Sequence, residues 1–294
     1  MQITYLGHAG IHIETEHGSI VCDPWFTPAY FGSWFPYPRN DRLDRTAFRS
    51  PTYLFVSHLH RDHFDADILR EFDRSTTILL PDFPMPHLRE EFEALGFTNF
   101  FQTKNGELHE LNGLKVGILA LSSPGDGPAG DSALFVDDGT TRLLNQNDAR
   151  PIDFASLTSG GEIHAHFLQF SGAIWYPMVY DMDPVEKQTL ALNKRANQLS
   201  RATRYVTGVN ASHVFPSAGP PCFLDDDLFN LNDLDQSPDN IFPNARAFVA
   251  EIGATSSFPT DHVHHIIPGS VITIEGPKAS IEHPGGQAAV DHAL

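Results

Sequence analysis

Ser57-His58-Leu59-His60-Arg61-Asp62-His63 closes an apolar run, Pro51–Ser57, that reads as a buried strand. Four potential metal ligands, His58, His60, Asp62 and His63, stand within six residues. A strand that ends in such a loop can aim all four side chains into one cavity. His58 and His60 read as ligands of one metal, and Asp62 and His63 as ligands of a neighbouring one. Imidazole suits zinc, iron or copper, and a carboxylate adds negative charge for a second cation.

Working outward, the chain alternates β-type and helical patterns. Gln2–Leu6, Gly10–Thr15 and Ser19–Cys22 are short β runs separated by Gly-His-Ala-Gly and Glu-His-Gly turns. After the motif, Asp65 can cap a helix that carries Ile68, Leu69 and Phe72 on one face. A strand over Thr76–Leu80 and an amphipathic helix over Pro86–Leu95, stopped by Gly96, follow. Leu114–Leu121, Ala133–Val136 and Thr141–Leu144 read as strands, the last two joined through Asp138-Gly139. Asp183-Pro184-Val185-Glu186 supplies an N-cap, a proline at the first helical position and a glutamate at the third, so a helix is expected from there to about Tyr205. Late strands are expected at His213–Phe215 and Ser270–Glu275. β runs alternating with helices, and no linker, imply a single α/β layered domain over residues 1–294.

The 294 residues carry 19 Lys+Arg against 37 Asp+Glu, a formal net charge of −18. That argues against nucleic acid as a partner, because phosphate recognition wants a positive face, and against docking on anionic membrane. Two cysteines, Cys22 and Cys222, build no disulfide framework, so a reducing compartment is expected. The first residues have neither a basic region nor a long apolar one, and a cytoplasmic protein is expected. Sixteen histidines are a surplus of metal-ligating groups.

Two apolar stretches could line a pocket for a bulky hydrophobic substrate. The loop from Pro24 to Arg39 holds Trp25, Phe26, Tyr30, Phe31, Trp34, Phe35 and Tyr37, although loops are usually polar. Phe167–Tyr180 is similarly aromatic, and its alternative role is a buried strand and loop. Lys194, Arg195, Arg201 and Arg204, late in the predicted long helix, read either as a solvated face or as a basic patch for an anionic carrier or substrate tail.

The HxHxDH motif at His58–His63 resembles that of the metallo-β-lactamase-fold superfamily. The resemblance implies an αβ/βα sandwich with a dinuclear metal site at one edge. It implies that Asp148, in Asn145-Gln146-Asn147-Asp148 after a strand, is the metal-bridging carboxylate. Two departures stand out. The family usually has a histidine shortly before that aspartate, and none lies between His109 and Asp148. Asp126 is assigned to that position, with Asp131 as its rival. The family's last histidine falls where Ala218 stands in His213-Val-Phe-Pro-Ser-Ala218-Gly219. His164, His166, His213, His264 and His265 are possible substitutes.

Replacing a histidine ligand by a carboxylate lowers the Lewis acidity of the cluster and favours higher oxidation states. Mixed N/O ligation with an open position is the setting of non-haem iron that activates O2. Asp23-Pro24-Trp25, Gly32-Ser33-Trp34, Asn145–Asp148 and Phe215-Pro-Ser-Ala-Gly-Pro-Pro221 are similar to the CMP-sialic-acid-hydroxylase-like branch, and more diffusely to di-iron hydroxylases of platensimycin-type diterpenoid biosynthesis. What this implies is an O2-dependent di-iron monooxygenase that hydroxylates a bulky hydrophobic substrate such as a diterpenoid or its carrier thioester. His58, His60, Asp126 and Asp148 would hold one iron, and Asp62, His63 and Asp148 the other, with Asp62 and Asp148 as the catalytic carboxylates. A Rieske centre needs two cysteines and two histidines in paired motifs, which this chain lacks, so electrons would come from a separate reductase or ferredoxin. The alternative is a zinc hydrolase of an ester, lactone or phosphodiester, with Asp62 orienting the water. A metal-stabilised binding protein is the non-enzymatic reading.

Overall fold

Ile3 and Tyr5 alternate with polar neighbours, as do Ile11 and Ile13, so each pair shares one face of its strand. These residues lie in β1 (Gln2–Gly7) and β2 (Gly10–Thr15), which pair antiparallel. The computed structural model describes residues 1–122, 127–158, 160–172, 174–232 and 240–293. β3 (Gly18–Cys22) continues the antiparallel ladder, and β4 (Tyr53–Phe55), β5 (Thr77–Leu80) and β6 (Phe100–Gln102) extend it in parallel. β7 (Leu108–Leu111), β8 (Leu114–Leu121), β9 (Asp131–Asp137) and β10 (Arg142–Asn147) form an antiparallel meander in a second sheet. β11 (Ala165–Gln169) and β12 (His213–Ser217) add to it in parallel. β13 (Val271–Glu275) and β14 (Lys278–Glu282) return to the first sheet beside β1. The sheets run β14-β13-β1-β2-β3-β4-β5-β6 and β12-β11-β10-β9-β8-β7.

The inner faces of the two sheets share one core, with Ile3, Ile13, Phe55, Val116, Leu134, Phe167 and Phe215 fully buried in it. The parallel strands are covered by helices, as strands buried on both faces require. α1 (Ala66–Leu69) and α2 (His87–Ala94) cover β4 and β5 through Leu69, Leu88 and Phe92. α3 (Phe154–Thr158) packs on α4 (Pro184–Val209), and α4 and α5 (Ala245–Thr255) cover β11 and β12 through Leu199, Val206, Phe248 and Ile252. α6 (Gln287–Ala293) ends the described chain. The result is the expected αβ/βα sandwich.

Local expectations differ from the structure mostly at element ends. Asp183 and Asp65 cap α4 and α1 as expected, each accepting from two backbone N–H groups of the first turn. The long helix outruns its expected end by one turn, to Val209, because Val206 and Val209 still meet the core and left-handed Asn210 then caps it. The strand expected over Pro51–Ser57 keeps ladder pairing only over Tyr53–Phe55, leaving Val56 and Ser57 free to turn toward the sheet edge. Among the described residues no helix is long and apolar enough to cross a membrane.

Candidate metal centre

Parallel pairing brings several loops to one edge of the sandwich. Cys22 faces Phe55 across β3 and β4, so Asp23 and the start of the His58–His63 motif emerge side by side. The β1–β2 turn carries His8 to the same edge, with His8 in the left-handed region at φ 51°. From the second sheet, β9 begins there with Asp131, and β10 ends there at Asn147 and Asp148. Two hydrogen bonds join the sheets at this edge: Ser132 Oγ donates to the Ser57 carbonyl at 2.7 Å, and Ala218 N–H donates to the His8 carbonyl at 2.8 Å.

Within the cluster, His8 Nε2 lies 3.1 Å from Asp62 Oδ2, and His63 Nε2 lies 3.8 Å from the same oxygen. His63 Nε2 is 3.6 Å from Asp148 Oδ1. Donor atoms of His8, Asp62 and His63 fall within 4.8 Å of one another, and so do those of His58, His63 and Asp148. His58 Nε2 and His60 Nδ1 are 2.9 Å apart, while His58 Nδ1 faces Asp131 Oδ1 at 3.5 Å. His58, Asp62 and His63 are buried.

The imidazole orientations are held from behind. Asp23, itself fully buried, accepts from Ser57 N–H at 2.7 Å and from Ser57 Oγ at 2.9 Å. Its Oδ2 stands 3.2 Å from His63 Nδ1. A carboxylate behind an imidazole sets the tautomer and turns the other nitrogen toward a metal. Burial would push the His63 imidazole down, but Asp148, Asp23 and Asp62 outweigh it and hold it up at about 10. Burial also works against ionised Asp62, yet His63, His8 and His58 keep its carboxyl well below the usual range. Burial drives His58 toward its neutral, ligating form, reinforced by His63 and His60.

The donor set fits a divalent or trivalent metal pair. His63 Nε2 and Asp148 Oδ1 are buried with no hydrogen-bond partner, 3.6 Å apart. Unpaired buried polar atoms are costly, and a coordinated cation satisfies both.

His58, His60, Asp62, His63 and Asp148 are thus brought together, with Asp131 beside them, whereas Asp126 lies outside the described residues. The substitute histidines are elsewhere. His166 Nε2 pairs with Gln146 Oε1 at 2.9 Å, His164 Nδ1 accepts from the Arg142 N–H, and His213 pairs with His264 at the far end of β12. His265 is not in the cluster either. His8 was missed in the sequence. Its signal is a histidine at a turn position that usually takes glycine or asparagine.

A cleft of about 810 Å3 opens onto the cluster. Tyr30 and Trp34 line it on one side, and Ile174, Trp175 and Tyr176 on another, so the two aromatic stretches do meet over His58 and His60. Trp34 and Trp175 approach edge to face at 6.0 Å. Asp65 pins the first stretch, accepting from Phe26 N–H, Thr27 N–H and Thr27 Oγ1 while it caps α1. Tyr30 Oη donates to Asp62 Oδ1 at 3.1 Å.

Residues 2–164 match the family described as β-lactamase superfamily domain. A Mycobacterium tuberculosis protein named for the Rieske 2Fe-2S iron–sulfur proteins is 50% identical over 291 residues, covering 97% of this chain and 56% of that protein. The chain therefore spans little more than half the length of such relatives. The cytidine monophosphate-N-acetylneuraminic acid hydroxylase of Asterias rubens is 32% identical over 187 residues, 61% of this chain and 28% of that one. Among solved structures, a metallo hydrolase of Ignicoccus hospitalis superposes with a TM-score of 0.59 at 16% identity, covering 93% of this chain and 98% of its own. A diiron β-hydroxylase of Streptomyces venezuelae superposes with a TM-score of 0.50 at 18% identity, covering 74% of this chain and 44% of its own.

Proposed function

Because this chain belongs to the β-lactamase superfamily, we propose that it is a metal-dependent enzyme whose cluster holds two iron ions and hydroxylates a largely apolar substrate with O2. The observation that carries the reading is the carboxylate content of the cluster: Asp62, Asp131 and Asp148 stand among the imidazoles of His8, His58, His60 and His63. Such mixed ligation favours iron over a strongly Lewis-acidic zinc. The partial likeness to a hydroxylase of cytidine monophosphate-N-acetylneuraminic acid supports it.

Bound iron would supply activation of O2. The chain's own residues do the rest. Asp23 and Ser57 orient His63, and Tyr30, whose hydroxyl burial and Asp62 keep protonated, holds Asp62 by a hydrogen bond. Trp34, Trp175 and Tyr176 give the apolar part of a substrate an aromatic wall to pack on. The electron donor we propose is an iron–sulfur protein or domain outside these 294 residues. Relatives nearly twice as long carry the Rieske name, and Cys22 and Cys222 cannot ligate such a centre by themselves.

The second reading, a zinc hydrolase, is favoured by the four imidazoles at the site, since neutral nitrogen ligands keep zinc acidic. Elemental analysis of protein expressed with both metals, joined to O2 consumption under a chemical reductant, separates the two. Iron near two per chain with substrate-dependent O2 uptake is the expected result; zinc alone, with ester or lactone cleavage, makes the hydrolase the better reading.

A further inference from the structure

One face of α4 turns toward the cleft. Leu190, Asn193, Lys194, Asn197, Gln198 and Arg201 line it at helical spacing. Opposite, Arg150 enters the same cleft from the loop that leaves β10, two residues beyond Asp148. Three cations therefore gather in a cleft whose metal side carries Asp62, Asp131 and Asp148, in a chain whose net charge is −18.

Arg150 and Arg201 make no ion pair and no side-chain hydrogen bond among the described residues, although both are half-buried. Lys194 donates to the carbonyls of Ile174 and Tyr176, which fixes the aromatic wall and leaves the third ammonium hydrogen for another acceptor. Burial and the neighbouring Arg150 push Lys194 down to about 8, and the same two causes depress Arg201. Cations set this close repel one another; Asp148 offsets part of that at Arg201, and an incoming anion relieves the rest.

We propose that Arg150, Lys194 and Arg201 bind the phosphate group of a phosphorylated substrate whose apolar body packs against Trp34, Trp175 and Tyr176. Two guanidinium groups and an ammonium suit a phosphate monoester better than a carboxylate, since its three oxygens and nearly two negative charges can meet all three cations at once. The loop after β10 then does two things at once: Asp148 serves the metal cluster and Arg150 anchors the substrate beside it. This inference rests on reading the cluster as a metal-dependent active site.

The test is calorimetric titration with phenyl phosphate and, in parallel, phenol. It uses the purified protein, the double variant R150Q/R201Q and the charge-conserving R150K/R201K, with metal content measured in each. Phenyl phosphate is expected to bind the unaltered protein far more tightly than phenol, and to weaken at high salt. R150Q/R201Q should lose roughly tenfold or more in affinity with its metal content unchanged, and R150K/R201K should recover part of the loss. The inference is overturned if phenyl phosphate does not bind. It is equally overturned if R150Q/R201Q binds it normally, because groups other than the two guanidiniums would then hold the anion. Zinc in place of iron, or no O2 uptake, would remove the oxygenase reading without touching this result.

Discussion

The His8 imidazole meets the Asp62 carboxylate at 3.1 Å, while the His8 carbonyl accepts from the backbone of Ala218. Ala218 stands where the resemblance led one to look for a last histidine. The structure thus sets a histidine from the opposite sheet, at the first turn of the chain, against the residue that lacks one.

A variant at this histidine tests whether His8 completes the site. His8→Ala leaves Asp62 and His63 as the only members of their trio, and a third ligand is what separates a stable site from a labile one. Metal content is expected to fall to about half with the fold retained, measured by elemental analysis and circular dichroism. His60→Ala, in contrast, should disturb the His58 side. Full metal occupancy in both variants would remove the cluster as the metal site.

Asp131 sits 3.5 Å from His58 Nδ1, so it is the carboxylate to exchange for an imidazole. Asp131→His should lower the iron-to-zinc ratio of the purified protein and suppress O2-dependent turnover. Asp126→His is the companion variant, and whichever has the larger effect marks the ligand. Unaltered metal selectivity in both would sink the link from carboxylate ligation to oxygen chemistry.

His166 is fully buried and burial pushes it down to about 3, with Gln146 Oε1 on its Nε2. Its folded value lies below the unfolded one near 6.5, so the unfolded chain takes up the proton first. The neutral ring's stability is fully present above pH ~6.5 and drains as pH falls toward 3. Urea titrations across that window should show the midpoint falling on acidification, and less steeply in His166→Gln. A pH-independent midpoint would contradict the buried neutral assignment.

Trp34 is buried among Tyr30, Trp175 and Phe223, whereas Trp175 is only partly covered. Trp34→Ala is expected to cost about 3 kcal/mol or more, and Trp175→Ala about half as much, in denaturant unfolding. Trp175→Ala should instead raise KM for an apolar substrate more than it lowers kcat. Equal stability losses would place Trp175 in the core rather than on the cleft wall.

What could be read in the sequence was local. The His58–His63 motif, the Asp65 and Asp183 caps and the position of Asp148 after a strand all depend on residues close together in the chain. The facing of the two aromatic stretches could be guessed because polar loops rarely hold so many rings. His8 does not stand out in the sequence, and Asp23 stands out only as part of a motif and not for its place behind His63, since His8 meets Asp62 across 54 positions and Asp23 meets Ser57 across 34. The run of cations late in α4 looks like a solvated face until packing against α3, α5 and β11 turns Arg201 and Lys194 to the cleft.

The ligand-bearing edge draws its side chains from both sheets: His8, His58, Asp62 and His63 from one, Asp131 and Asp148 from the other. Without a cation, several carboxylates confront each other across that boundary, bridged mainly by His63 and two backbone-directed hydrogen bonds. Metal uptake is therefore expected to tighten this rim, while the shared core holds the sheets together elsewhere. A chelator is expected to loosen the rim between the sheets, read as faster amide hydrogen exchange there than in the helix-covered interior.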